Sequence, residues 1–137
     1  MIEINIATKL EINQILDFFE RYISNETDWI FWWELLCPFW LKWAIIRNQV
    51  IVIKENSKVS GFLRFYKKKN NIVSVYQFAL SEEIRWKWII KKCLEKTWYT
   101  FFETQCQINS KFNEYYKKTW WKLLKNDENF NYWKINL

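Results

Sequence analysis

A chain of 137 residues that contains one glycine, Gly61, and one proline, Pro38, has almost nothing that turns left-handed without strain. Ordinary usage supplies about 7% glycine, or roughly ten residues in a chain of this length. Tryptophan is in excess by about the amount that glycine is missing, at 11 residues. The turns are therefore expected on short polar stretches, and the regular elements between them show clear periodicity.

Ile2, Ile4 and Ile6 alternate with Glu3 and Asn5, the pattern of a half-buried strand. Thr8 and Glu11 form a Thr-x-x-Glu capping box. It opens a helix whose apolar positions are Ile12, Ile15, Leu16, Phe19 and Ile23. A polar loop is expected over Ser24 to Asp28, then one or two helical pieces from Trp32 to Ile46, interrupted at Pro38. Val50–Lys54 and Val59–Tyr66 read as strands around a tight turn at Glu55 to Lys58. After the basic turn Lys67 to Asn71, Ile72–Leu80 is a third strand.

A helix is expected over Ile84–Thr97, with Ile89, Ile90, Cys93 and Leu94 as its apolar stripe. A strand follows at Tyr99–Cys106, then a helix at Ser110–Thr119 with Asn109 or Ser110 as N-cap. Trp121–Lys125 and Phe130–Ile135 close the chain as a hairpin around Asn126 to Asn129. The order is β-α-α-β-β-β-α-β-α-β-β, with no repeat, linker or low-complexity tail. The length suits one domain, residues 1–137, with one hydrophobic core.

Composition narrows the chemistry. Half of the residues are apolar and 26% are charged, which argues against disorder. Histidine is absent, which removes His-based triads, His metal sites and His general bases together. Cys37, Cys93 and Cys106 are odd in number and widely spaced, so neither a disulfide framework nor a metal knuckle is implied. They are expected in the core, with Cys106 near the cleft described below. Met1 to Ala7 carries Glu3 and lacks a basic leader. Glu34, Pro38 and Lys42 break the apolar run from Trp29 to Ile46, a poor candidate for a membrane span. The expected setting is reducing and cytoplasmic. A net charge of +6 favours anionic partners. Lys67-Lys68-Lys69 reads as a solvated hairpin turn, and the Trp29 to Trp43 cluster as core and as a pocket wall.

Several local motifs carry a family resemblance. Val59-Ser60-Gly61-Phe62-Leu63-Arg64-Phe65 is a strand of the right type, followed by the strand Val73–Leu80. Arg85-Trp86-Lys87-Trp88-Ile89-Ile90 then stands at a helix start. Asn109 precedes Tyr116 by seven residues, and Lys117-Lys118-Thr119-Trp120-Trp121 follows. These segments, in this order, resemble the acyl-CoA-dependent N-acetyltransferases of the GNAT superfamily over nearly the whole chain. The resemblance implies a mixed α/β fold, with a mostly antiparallel sheet of six to seven strands flanked by about four helices.

A helix N-terminus binds phosphate through its free amides and partial positive charge, and glycines there let backbone approach the anion. The family's pyrophosphate loop is commonly Arg-Gly-Lys-Gly-Ile-Gly. Arg85, Lys87 and Ile89 fit that string. Trp86 and Trp88 stand in glycine slots, and Ile90 stands in the last small position. The resemblance thus assigns Arg85, Trp86, Lys87, Trp88, Ile89, Ile90 and Asn109 to acetyl-CoA, the expected co-substrate, with no metal. Backbone groups near Phe78 and Leu80 would pair with the pantetheine arm. Tyr116 would protonate the departing thiolate, a plausible task for a phenol. The base for the amine is Glu103 or Glu83. The sequence marks neither, and a solvated edge-strand carboxylate is the other reading of Glu103.

The expected activity is acetyl transfer from acetyl-CoA to an amine, in a small molecule or a peptide, by direct attack in a ternary complex. The expected state is monomer or homodimer, without a membrane partner. The alternatives are a decayed acyl-CoA binder and, less favoured, a basic aromatic-rich nucleic-acid module. Trp98 and Trp120 each follow a helix, at C′ positions where the chain often turns left-handed and glycine is preferred. With Trp86 and Trp88 they suggest a gene in which UGA encodes glycine, here read as tryptophan. By contrast, Trp29, Trp43, Trp121 and Trp133 stand in apolar contexts and look native. The alternative is that all 11 tryptophans are genuine and the phosphate loop has degenerated.

Overall fold

A computed structural model describes residues 1–23, 30–31, 38–85 and 88–137. The polar loop expected at Ser24 to Asp28, the helical piece before Pro38, Trp29, Cys37, Trp86 and Lys87 lie outside the described residues.

The strands are β1 (Ile2–Ile6), β2 (Ile30–Phe31), β3 (Val50–Glu55), β4 (Lys58–Lys67), β5 (Val73–Leu80), β6 (Phe101–Gln107), β7 (Lys122–Asn126) and β8 (Phe130–Asn136). The helices are α1 (Ile12–Ile23), α2 (Pro38–Ile46), α3 (Ile89–Glu95) and α4 (Phe112–Lys118). Seven strands form one path, β1-β3-β4-β5-β6-β8-β7, and β2 adds against β5. All pairings are antiparallel except β5 with β6.

The capping box forms as expected. The Thr8 amide and hydroxyl both donate to Glu11 Oε1, at 2.8 and 2.9 Å, and the Glu11 amide donates to the Thr8 carbonyl at 3.0 Å. Lys54 Nζ lies 3.3 Å from Glu11 Oε2. Burial pushes the Glu11 carboxyl up, but the hydrogen bonds from Thr8 and the Lys54 ammonium outweigh it and hold the group below its ordinary range.

The sheet separates two apolar layers. On one face Phe18 and Phe19 of α1 meet Phe62 edge-on at 6.5 and 5.8 Å, with Leu41, Ala44 and Ile45 of α2 beside Val50, Val52 and Ala79. On the other face Ile90, Cys93 and Leu94 of α3, with Phe112 and Tyr116 of α4, cover Ile51, Ile53, Leu63, Phe65 and Phe78. Strand alternation puts neighbouring residues into opposite layers, which is why Phe62 and Leu63 belong to different cores.

The β5 strand does not alternate evenly. Arg64 pairs with Gln77, but Phe65 pairs with Val75, so Tyr76 is an extra, bulged residue. Val73 and Val75 face the α3/α4 layer before the bulge, and Phe78 and Leu80 face it afterwards. Gly61 lies opposite Leu80. A Cβ there would lie 3.0 Å from the Ala79 carbonyl oxygen and from Ile84 Cδ1, so the close approach favours glycine.

Several expected boundaries shift. The helix expected over Ile84–Thr97 becomes a 3-10 turn, Glu82–Ile84, and then α3 from Ile89, where the apolar stripe begins. The next strand starts at Phe101, two residues later than expected, because the Trp98 turn and Tyr99 precede it. Neither proposed N-cap of α4 is the residue flanking the helix, which is Lys111. The Ser110 hydroxyl nevertheless accepts the Phe112 amide at 3.2 Å and does a cap's work.

Candidate active site

β5 and β6 run side by side for only two register pairs, Val73 with Phe102 and Ser74 with Glu103. One residue on, the Thr104 hydroxyl donates to the Val75 carbonyl at 3.1 Å. Beyond that point the strands part, with Gln105 to Gln107 paired to β8 alone and the bulge at Tyr76 bending β5. The result is a wedge-shaped opening in the sheet whose vertex is Val75 and Thr104.

Two of the expected residues converge on this vertex from opposite faces. Tyr116 comes from α4 on the buried side and is 1% exposed, packed edge-on against Trp121 at 5.1 Å and tilted against Trp133 at 5.7 Å. Its hydroxyl shares a hydrogen bond with Thr104 and lies near Cys106. Burial, then the neighbouring thiol, push the Tyr116 phenol well above its ordinary range, although the Thr104 hydrogen bond pulls the other way. Tyr116 is thus neutral throughout the physiological range. Glu103 is one residue before Thr104 and points to the opposite face, where Lys68 Nζ lies 3.4 Å from its Oε2. The other candidate base, Glu83, is exposed in the 3-10 turn after β5.

The remaining expected residues among those described sit around the open end of the wedge. Phe78 and Leu80 are fully buried. The Phe78 ring meets Phe112 edge-on at 4.6 Å on the helix side. β2 pairs with β5 antiparallel at Phe78 and Ala79, and the Arg85 Nε donates to the Leu80 carbonyl at 3.0 Å. The chain itself therefore uses much of the backbone edge assigned to an incoming arm. Between these contacts and the vertex lie Tyr76 and Gln77, where the strand carries its bulge. Ile89 and Ile90 are buried in the first turn of α3 and contribute backbone amides only. Trp88 precedes them with helical φ and ψ of −93° and −12°, half-exposed and tilted against Trp120 at 4.5 Å. Lys91 Nζ sits 4.4 Å over the Trp120 ring. Asn109 is exposed in the turn after β6.

Asn113, which the sequence reading did not single out, organises that turn. Its amide nitrogen donates to the carbonyls of Gln107, Ile108 and Ser110 at 2.8, 3.0 and 3.0 Å. Its oxygen accepts from Asn131 Nδ2 and Trp133 Nε1, both at 3.1 Å. An asparagine in the first turn of a helix, where it favours local side-chain bonds over helix, was the available signal.

The tryptophans divide. Trp121 and Trp133 are buried, as native core residues are, whereas Trp43 is 41% exposed, against Phe39 and Arg47. Trp98 has φ of +68° and its side chain is 91% exposed. The other positive-φ residues among those described are Asn48, Asn56, Ser57, Asn70 and Asn71, the small polar types that tolerate this region. Trp120 does not share the left-handed geometry expected of it. The helix stops at Lys118, and extended Thr119 ends it, with its hydroxyl on the Tyr115 carbonyl at 2.9 Å.

This architecture is the fold of the GNAT acetyltransferases. A GNAT-family acetyltransferase from Listeria monocytogenes superposes with a TM-score of 0.77 at 11% identity, over 99% of this chain and 95% of that one. The paia N-acetyltransferase from Thermoplasma acidophilum, in complex with coenzyme A, gives 0.72 at 16% identity, over 100% and 99%. The yncA protein from Salmonella typhimurium, with its cofactor acetyl-CoA, gives 0.72 at 11% identity, over 100% and 94%. No protein-family model matches the sequence, and no curated protein matches it.

Proposed function

We propose that residues 1–137 form one N-acetyltransferase domain that moves an acetyl group from acetyl-CoA to an amine in a ternary complex in the cytoplasm. The observation that carries this reading is the wedge between β5 and β6, with Tyr116 and Glu103 flanking its vertex from opposite faces. Similarity of fold to structures that hold coenzyme A and acetyl-CoA supports it.

Acetyl-CoA supplies an activated acetyl group, and the chain supplies position and protons. Arg85, Lys87 and the amides of Ile89 and Ile90 hold phosphates at the start of α3, with Asn109 across the opening. Amides of an extended arm take the β5 edge around Phe78 and Leu80 once β2 and the Arg85 side chain yield it. Glu103 removes a proton from the acceptor ammonium, directly or through water, so that the nitrogen lone pair can form the C–N bond. As the C–S bond breaks, its electron pair goes to sulfur, and the neutral Tyr116 hydroxyl provides the proton that makes the free thiol. Calorimetry with acetyl-CoA, followed by thiol release with an amine panel, tests the reading. Absence of binding at millimolar acetyl-CoA removes it. Binding without thiol release from any amine favours a decayed acyl-CoA binder.

A specific observation also favours the recoding of tryptophan as glycine. Trp98 has a glycine's backbone and leaves its indole in water. The natural chain then carries glycine at 98 and in the phosphate loop at 86 and 88, where indoles obstruct approach to an anion. Mass spectrometry of the protein isolated from its source reads these residues directly. Tryptophan at all three positions removes the idea.

A further inference from the structure

On the solvent side of the vertex, two adjoining cavities of about 410 and 460 Å³ flank Glu103 and share Leu124. Each lies in the size range of small-molecule sites. Lys68 and Lys125 line the first, and Lys122 and Lys134 line the second. Glu103 is the only carboxylate lining either one among the described residues. Lys68 is matched by Glu103 at 3.4 Å. No carboxylate among the described residues comes within ion-pair range of Lys122, Lys125 or Lys134. Asp127, at the β7–β8 turn, interacts with the Lys125 charge from beyond ion-pair distance, and its hydrogen bonds go elsewhere. Its Oδ1 accepts the amides of Asn129 and Phe130 at 2.8 Å, and its Oδ2 accepts the Tyr132 hydroxyl at 2.9 Å.

The walls near Glu103 are flat and aromatic. Tyr66 and Tyr76 meet edge-on at 5.9 Å, and Lys125 Nζ stands 4.9 Å over the Tyr132 ring. One acid set among four ammonium groups leaves a surplus of positive charge and suits a ligand of mixed charge. It repels a polyamine, whose every group is cationic.

We infer that the acceptor is an amine whose own molecule carries a carboxylate or phosphate. The amine sits at Glu103, and the anionic group sits at Lys125 or Lys122. The identification of this molecule as acceptor rests on the acetyl-transfer reading, but its binding does not.

Matched pairs isolate the anionic group: tyrosine against tyramine, and O-phosphoethanolamine against ethanolamine. Each is titrated into the protein by calorimetry and then supplied as acceptor in the thiol-release assay, with spermidine as the all-cationic comparison. The anionic member of each pair is expected to bind roughly tenfold tighter or more, the scale of a charge-assisted contact. In Lys122→Gln/Lys125→Gln the ratio falls to near one, and Lys125→Glu reverses it towards tyramine. Circular dichroism establishes that both variants are folded. Equal affinities, a preference for spermidine, or no binding of any pair at millimolar concentration overturns the inference. Preferential binding without thiol release leaves the anionic pocket standing and removes acetyl transfer. Thiol release that ignores the anionic group does the reverse. If only the phosphate pair discriminates, the ligand is an aminophosphate; if only the tyrosine pair does, it is an aminocarboxylate.

Discussion

Replacing Trp98 with glycine should stabilise the protein relative to replacing it with alanine, against the usual order of the two residues. A side chain at φ of +68° costs about 1–2 kcal/mol. Alanine keeps that cost, and glycine releases it. Glycine in turn loses about 0.5–1 kcal/mol through the greater freedom of its unfolded chain. The difference is about 1 kcal/mol in favour of glycine, or roughly 4 °C in Tm for a domain of this size. The indole hardly enters the sum. With 91% exposure it buries about 20 Å², worth roughly 0.5 kcal/mol, and both variants lose it equally.

Lys96 is the control. It closes α3 two residues earlier with φ of −74°, and there alanine should exceed glycine by about 1 kcal/mol. Urea unfolding followed by far-ultraviolet circular dichroism reads both comparisons without depending on the removed fluorophore, as midpoint shifts at constant m. If alanine equals or exceeds glycine at position 98, the left-handed strain is not there, and the structural support for glycine in the natural chain goes with it.

Tyr116→Phe should lower kcat for acetyl transfer by about a hundredfold or more while costing about 1 kcal/mol of stability. A kcat within twofold of the parent value would show that Tyr116 is a core residue only. Asn113→Ala removes the acceptor of the Trp133 indole N–H and the side-chain donor of the Ile108 carbonyl, while the Gln107 and Ser110 carbonyls keep backbone amides, and should cost about 2–3 kcal/mol by urea unfolding. A loss below 0.5 kcal/mol, on the order of a neutral surface change, would discount the hub. For Glu11, the folded carboxyl lies below its unfolded value, so its contribution is present at neutral pH and is lost as pH falls through the folded value. The stability gap between the parent and Glu11→Gln should therefore shrink in acid. A gap that is constant from neutral pH to pH 3 contradicts the depressed carboxyl.

Local chemistry was legible in the sequence, and long-range geometry was not. The capping box, the alternating strands, the α3 stripe and the left-handed Trp98 each follow from a few adjacent residues, and each appears where expected. The start of α3 was misplaced because Ile84 is buried and fits a helical stripe, yet belongs to a separate 3-10 turn. Trp120 was misread because the end of α4 depends on the Thr119 hydroxyl, which folds back to the Tyr115 carbonyl. The β2 pairing and the Phe78–Phe112 contact join segments far apart in the chain, and no local pattern announces them. For the site, the resemblance implied Tyr116, and Glu103 was one of two unmarked candidates, but only the parting of β5 and β6 shows that the two flank one point. The lysines around Glu103 lie on three different segments, the turn after β4, β7 and β8, so their grouping is invisible in one dimension.

The bulge at Tyr76 also decides which changes of length this chain can absorb. The register on its two sides is continuous without the extra residue, because Phe65 pairs with Val75 and Arg64 with Gln77. Deleting Tyr76 would therefore leave Phe78 and Leu80 in the layer under α3 and α4, and leave Gln77 opposite Arg64, whose Nη1 donates to its Oε1 at 2.9 Å. A further inserted residue would instead carry Phe78 and Leu80 through the sheet to the α1 side. What the extra residue supplies is the bend beside the wedge, so the length of β5 is set by the opening and not by the two cores.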